Sequence, residues 1–352
     1  KDLVPPKIVA RPTIKKNLII IYLESVERTY RDITETAVAF KALGEIEDHG
    51  ISARMQMQIP GLHFTAGGIV GSMCGVPLLP RGVFSVHLKS RDMVGVAFPF
   101  SEFMPSMTCL GDILHADGYT QSYLNGSDLA IFSKGDLFLT HGFDRVFGLK
   151  ELDNWQAESR QNLWGLDDDV VFEQVTKELY RLSKAEKPFT LAALTLSTHM
   201  PDAFLDKTCT GTPVNGSLVP DAIRCTVAHL QDLLAEVDKL GLTDDTVVVF
   251  MSDHLAMKNT MWEQLSAREE QRSNFVTILG AGPARIINRT GTTLDLYPTI
   301  LEALGYTIEG GRAYMGQSIF SEHGPTLIES IGQKSLSEAV VGNTTLQEFI
   351  WK

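Results

Sequence analysis

The stretch NLIIIYLESVERT, Asn17 to Thr29, decides the fold. Leu18–Leu23 is an unbroken apolar run rich in β-branched residues, without polar alternation, which is the pattern of a strand covered on both faces. It stops abruptly on a carboxylate, Glu24. A buried strand that ends on a charged side chain suits a parallel sheet, where functional groups collect at the carboxyl ends of the strands.

Three more apolar runs read as strands: Phe189–Leu196, Thr246–Met251 and Phe275–Leu279. Helical periodicity is predicted at about Thr36–Asp48, Leu110–Ala116, Asp168–Lys184, Asp221–Leu240 and Leu294–Leu304, with glycine following several of them as a stop signal. Each strand is followed by a helical pattern. The alternation predicts an α/β fold with a mostly parallel central sheet and helices on both faces, formed as one domain over residues 1–352.

The composition is that of a soluble globular protein, with 44% hydrophobic and 21% charged residues and no low-complexity tract or repeat. A net charge of −12 leaves no basic stripe for a phosphate backbone, so nucleic acid is not an expected partner. No apolar run is long enough to cross a bilayer. The chain begins on Lys1 and reads as the soluble portion of a longer protein, its signal or membrane anchor removed. Cys74, Cys109, Cys209 and Cys225 lack metal-knuckle spacing and are either two disulfides or four buried thiols. Disulfides would place the protein in an oxidising compartment.

Three strand ends carry ligand-type side chains: Glu24 after the first, His199 in LTLSTHMP, and the pair Asp253-His254 in FMSDHL. Together they suggest a metal site with oxygen and nitrogen donors. The ordinary alternatives are a helix-dipole carboxylate for Glu24 and a core histidine bonded to a backbone carbonyl for His199. A fourth segment, PGLHFTAGGIVGSMCGVP, reads as a loop giving way to a small-residue helix with Thr65 at its start. Thr65 is either a helix N-cap or a nucleophile activated by a cation. A hydroxyl nucleophile, one divalent cation and a nearby imidazole suit transfer from a phosphate ester. Manganese or magnesium fits three oxygens and one nitrogen, and zinc accepts the same donors. The other histidines, His49, His63, His87, His115, His141, His229 and His323, show no second cluster. Trp164 in NLWGLDD either stacks on glycerol or sugar or packs in a hydrophobic turn. Asn259 is a further candidate substrate contact, and Asp295 a possible neighbour of the site.

The ordered set NLIIIYLESVERTY, PGLHFTAGGIVGSMCGVPL, CLGDILHADGY, HGFDRVFG, WGLDDDVVFE, LTLSTHMPD, SDHLAM and LDLYPTILEALG resembles the alkaline phosphatase/sulfatase superfamily. Within it, the chain is similar to the group of lipoteichoic acid synthases and phosphoglycerol transferase I enzymes. The resemblance implies that Glu24, Thr65, Asp253 and His254 bind one divalent cation, usually manganese. Thr65 is then the nucleophile that takes the phosphoglycerol, and His199 a substrate-binding or leaving-group histidine. Where lipoteichoic acid synthases hold glycerol phosphate with a Trp and an Arg, this chain has Phe132 and Lys134. Lysine keeps the charge but lacks the planar fork, which argues against Gram-positive polymerase activity, while PGLHFTAGGIVGSMCGVPL, SDHLAMKNT and the cysteine placement look closer to the phosphoglycerol transferase I enzymes that decorate periplasmic glucans. Those relatives imply the pairs Cys74–Cys109 and Cys209–Cys225, a periplasmic domain tethered to the inner membrane, phosphatidylglycerol or a phosphoglycerol-bearing glucan as donor, and a β-glucan as acceptor. The alternatives are a phosphodiesterase releasing glycerol phosphate, a phosphoethanolamine transferase or sulfatase, and a non-catalytic glucan or lipid sensor. A sulfatase would want cysteine or serine at Thr65, and a sensor would not need the ligand set.

Overall fold

The apolar run of the opening stretch forms strand β1, Asn17–Leu23, near the middle of an eight-stranded sheet. The structure is a computed structural model that describes residues 3–79, 102–152, 160–320 and 323–352; His87 lies outside these. The other strands are β2 (Ile51–Gln56), β3 (Thr120–Asn125), β4 (Arg145–Phe147), β5 (Phe189–Leu194), β6 (Thr246–Ser252), β7 (Val276–Leu279) and β8 (Arg285–Gly291). Their order across the sheet is β8-β2-β7-β6-β1-β5-β3-β4. Every strand runs in one direction except β7, which is antiparallel to both β2 and β6.

Alternate residues of β1 feed two cores. Leu18, Ile20 and Tyr22 pack with helices α2 (Thr65–Cys74), α3 (Leu110–Ala116) and α7 (Leu296–Ala303). Ile19, Ile21 and Leu23 pack with α1 (Thr34–Glu47), α5 (Asp168–Ser183) and α6 (Val219–Lys239). This is why the run never alternates in polarity: both faces are inside. Burying each of these side chains contributes roughly 2 kcal/mol, so the strand ends hang from the most firmly held part of the molecule. A further short helix, α4, covers Lys134–Thr140.

The predicted elements hold to within a few residues, with two corrections. β7 is not followed by a helix: the chain turns through Gly280 and Gly282, both at positive φ, and returns as β8 on the far side of β2. The apolar run carried no information about strand direction. β2, β3, β4 and β8 were also missed. Their sequences, such as TQSYLN and RIINRTG, mix polar residues into the strand; in β3 these are buried and bonded, Gln121 Nε2 donating to the carbonyls of Gly111 and Gly142 and Ser122 Oγ to Glu178.

Both disulfides form in the implied pairs. Cys74, the last residue of α2, is joined to Cys109, the N-cap of α3. Cys209 pins the loop before α6 to Cys225 within it. With sequence separations of 35 and 16, closing these loops in the unfolded chain is worth about 4 and about 3 kcal/mol on the chain-entropy model. Among the described residues no helix is long and apolar enough to cross a membrane.

Candidate active site

Register builds the site. Tyr22 of β1 lies opposite both Leu194 of β5 and Met251 of β6, and Leu23 opposite Ser252, so three strands end at one level. The chain leaves them through Glu24, Thr195 and Asp253, and Glu24 N donates to Thr195 Oγ1 at 3.0 Å. Glu24, Asp253 and His254 are all 1% exposed or less. Their ligand atoms lie within 4.8 Å of one another.

The hydrogen bonds leave one free atom on each of two ligands. Asp253 Oδ1 accepts from the backbone N–H of Ser25 (2.9 Å) and of His254 (2.8 Å), whereas Asp253 Oδ2 is buried without a partner. His254 Nδ1 lies 2.8 Å from the carbonyl of Leu255, which can only accept, so the proton sits on Nδ1. His254 Nε2 is therefore the ring nitrogen left for a cation, likewise buried and without a hydrogen-bond partner, 3.4 Å from Glu24 Oε1 and 3.3 Å from Asp253 Oδ2. Burial and the Glu24 carboxylate push Asp253 up to about 7. Burial pulls the His254 imidazole down, but the Asp253 and Glu24 carboxylates outweigh it and raise its pKa. Two buried carboxylates facing an imidazole lone pair are a donor set that a divalent cation satisfies.

Thr65 is the first residue of α2, and the N-cap position belongs to Phe64, which makes no side-chain cap. The Thr65 hydroxyl donates to Glu24 Oε2 at 3.3 Å instead. The capping alternative thus gives way to a hydroxyl pointed at the cluster. What lets α2 come so close is the absence of side chains: a Cβ on Gly68 would lie 1.7 Å from the Asp253 carbonyl oxygen. The AGG sequence is therefore a requirement of this approach.

His199 sits beside the same carboxylate, its Nε2 3.9 Å from Glu24 Oε1, with Nδ1 3.0 Å from the Met200 carbonyl. Burial, with the nearby His254, depresses its pKa to about 4, so the ring is neutral near pH 7. Trp164 covers that ring, centroid to centroid 3.8 Å, and its Nε1 donates to Met200 O at 2.9 Å. The indole thus packs, but against a site residue. Lys134 is buried, with Nζ donating to the Ile131 carbonyl at 3.0 Å. Burial pulls its pKa down to about 8, against the opposing pull of Glu24, Asp128 and Asp253. Phe132 and Ser133 before it both have positive φ, 55° and 51°, and the Phe132 ring lies 5.2 Å from that of Phe64. Two consecutive non-glycine residues in the left-handed region are uncommon.

Not every candidate is drawn in. Asn259 Nδ2 donates to the Tyr30 hydroxyl and its Oδ1 accepts from Met261 N. Asp295 accepts from the backbone N–H groups of Thr292 and Gln317, closing a capping box. Cys74, Cys109 and His141 cluster, but the sulfurs are bonded to each other and His141 Nδ1 pairs with Asp112 Oδ2 at 2.8 Å.

Sequence reasoning missed several neighbours. Asp168 accepts from Leu196 N and Ser197 N, fixing the loop that carries His199, and Thr198 Oγ1 donates to the Glu24 carbonyl. Glu27 and Arg272 form a buried ion pair beside the His254 loop. The spacing Glu24-x-x-Glu27 was a visible signal for one of them; nothing local marks Arg272, 245 residues away.

The comparisons agree with this architecture. The Sulfatase family model matches residues 16–306. Phosphoglycerol transferase I of Escherichia coli is 32% identical over 337 residues, an alignment covering 93% of this chain and 42% of that protein. The chain thus spans about two fifths of the length of the curated relatives it matches. A solved alkaline phosphatase superfamily protein from Vibrio parahaemolyticus superposes with a TM-score of 0.65 at 20% identity, covering 85% of this chain and 69% of that one. The lipoteichoic acid synthase LtaP of Listeria monocytogenes gives 0.63 at 16%, covering 90% and 78%. The fold is alkaline phosphatase/sulfatase-like, the chain is similar in sequence to phosphoglycerol transferase I, and it belongs to the sulfatase family.

Proposed function

We propose that this chain is the catalytic part of a divalent-cation-dependent phosphoglycerol transferase that works through a covalent phosphothreonine at Thr65 and delivers the group to a periplasmic β-glucan. The observation that carries this reading is the Thr65 hydroxyl aimed at Glu24 on the rim of a buried Glu24–Asp253–His254 cluster. The similarity to phosphoglycerol transferase I supports the identity of the transferred group. The two disulfides support a periplasmic setting.

Glu24, Thr65, Asp253 and His254 would hold one cation, manganese first, with magnesium or zinc accepting the same donors. When bound, such a cation lowers the pKa of a hydroxyl and neutralises charge on phosphoryl oxygens. The Thr65 oxygen attacks phosphorus in phosphatidylglycerol or a phosphoglycerol-bearing glucan, and the bond from phosphorus to the departing oxygen breaks. The hydroxyl proton leaves along its bond to Glu24 Oε2, and His199 Nε2, beside Oε1 of the same carboxylate, relays it to the departing oxygen. A glucan hydroxyl then attacks phosphorus in the phosphothreonine, the bond from phosphorus to the Thr65 oxygen breaks, and the glucan hydroxyl's proton passes through the same groups to that oxygen, restoring Thr65. Lys134 supplies fixed positive charge for the phosphate, while Phe132 and Trp164 line its approach. Asn259 is committed to Tyr30 and has no part in this scheme.

The test is product analysis with manganese, a phosphoglycerol-bearing glucan and bare β-glucan, for the wild type and Thr65→Ala. Phosphoglycerol on the bare glucan, absent with the variant, is the expected result. Free glycerol phosphate whether or not acceptor is present would make the protein a phosphodiesterase, and undiminished turnover by Thr65→Ala would overturn the nucleophile.

A further inference from the structure

The two residues that follow His254 have both their backbone N–H and C=O groups tied down. Leu255 N donates to Gln58 Oε1 at 2.8 Å, and the Leu255 carbonyl accepts from His254 Nδ1 at 2.8 Å. Ala256 N donates to Glu27 Oε2 at 2.9 Å, and the Ala256 carbonyl accepts from Arg272 Nη2 at 2.6 Å. Glu27 and Arg272 are themselves joined, Nε to Oε1 at 3.0 Å and Nη2 to Oε2 at 2.6 Å, with 0% and 5% of each residue exposed. Gln58 lies on the loop that leads from β2 to Thr65, Glu27 three residues beyond Glu24, and Arg272 just before β7.

A buried ion pair contributes little net stability compared with apolar packing of the same volume, so its retention asks for another explanation. The partner of a ligating histidine's second nitrogen sets which nitrogen offers the lone pair and how the ring is aimed. Here that partner is the Leu255 carbonyl, and its peptide is held from both sides. We propose that Gln58, Glu27 and Arg272 act as a clamp of positioning residues that fixes the Leu255 carbonyl, and through it the Nδ1–H tautomer of His254, so that the cation site is preorganised before any ion arrives. The inference rests on the reading of Glu24, Asp253 and His254 as cation ligands. It also links the cation site to the nucleophile, because Gln58 belongs to the loop that sets the start of α2.

The experiment measures manganese affinity by titration calorimetry on the whole chain, together with the imidazole nitrogen chemical shifts of His254 in cation-free protein. Variants are Gln58→Leu, Glu27→Gln, Asp253→Asn, and Glu47→Gln as a control. Glu47 pairs with Arg28 in an equally buried ion pair that does not touch the His254 loop. The expected result is cation binding weakened about 10-fold or more by Gln58→Leu and by Glu27→Gln, with His254 changing from one tautomer to a mixture, while Glu47→Gln loses thermal stability and keeps its affinity. Gln58→Leu removes a single hydrogen bond, so it carries the test even where Glu27→Gln fails to fold. Wild-type affinity and a single tautomer in Gln58→Leu and Glu27→Gln would overturn the clamp and leave the cation site standing, as would an equal loss of affinity in Glu47→Gln. No cation binding by the wild type, or undiminished binding by Asp253→Asn, would overturn both.

Discussion

The two halves of the site are built differently. Glu24, Asp253 and His254 leave the ends of β1 and β6, paired strands buried on both faces, and the unpartnered Asp253 Oδ2 and His254 Nε2 lie 3.3 Å apart beside Glu24. Phe132, Trp164 and His199 stand on loops and short turns, and Lys134 opens the short helix α4 that follows one of them: a corner with two positive-φ residues, a two-residue hairpin at Gln161–Asn162 and Gly165–Leu166, and the loop after β5. A half anchored in a sheet can hold reacting groups within the fraction of an ångström that catalysis needs. A half carried on loops can vary with the substrate while the sheet stays as it is. The account therefore assigns the cation and the nucleophile beside it to the first half, and to the second substrate choice together with the proton handled by His199.

Variants of the anchored ligands and of Thr65 beside them should abolish turnover, and variants at Phe132, Lys134 and Trp164 in the loop half should shift KM and selectivity. The largest effect expected is that of Thr65→Ala, a loss of kcat on the order of 10⁴-fold or more with the unfolding temperature unchanged. Rate assays beside a thermal melt check both parts. Next comes Gly68→Ala, whose Cβ would collide with the Asp253 carbonyl. It should destabilise the fold by roughly 3 kcal/mol and lower kcat about 10²-fold by displacing Thr65, read from denaturant midpoints and single-turnover rates. In the loop half, Lys134→Met should raise the donor KM about 10-fold or more through the lost charge, with a smaller change in kcat. A kcat loss as large as that of Gly68→Ala would erase the division.

The smallest effect lies outside both halves. His229 Nε2 meets Asp206 Oδ2 at 2.8 Å. Burial lowers the His229 pKa but the Asp206 bond outweighs it, leaving it raised above 6.5; Asp206, raised by burial but pulled down further by His229, ends below 3.8. The histidine's contribution is fully present below pH 6.5 and is lost as pH climbs through its raised value. The aspartate's is present above pH 3.8 and lost as pH falls through its lowered value. His229→Gln should therefore cost about 1 kcal/mol between those limits and less at pH 8.5, measured by urea unfolding across the range. A constant difference would show that the pair is not ionic.

The same contrast explains what could be read from the sequence. β1, β5 and β6 were legible because strands buried on both faces must be continuously apolar, and their terminal ligands stood out for being polar at the end of such runs. Thr65 was legible because AGG after it has no role in an ordinary helix. β3 and β8 were not, since their polar residues mimic loops until the partners of Gln121 and Ser122 are seen. Phe132 and Lys134 came only from resemblance, and Arg272 from neither, because an ion pair across 245 residues leaves no local pattern. The direction of β7 is set by its pairing with β2 and β6, which no single strand encodes.

The most direct measurement is intact-protein mass spectrometry, with peptide mapping, on manganese-loaded protein quenched in acid after exposure to phosphoglycerol donor without acceptor. The account predicts one phosphoglycerol group attached at Thr65, discharged when β-glucan is added and absent from Thr65→Ala. A modification at any other residue, or product formed by Thr65→Ala at the wild-type rate, would contradict it.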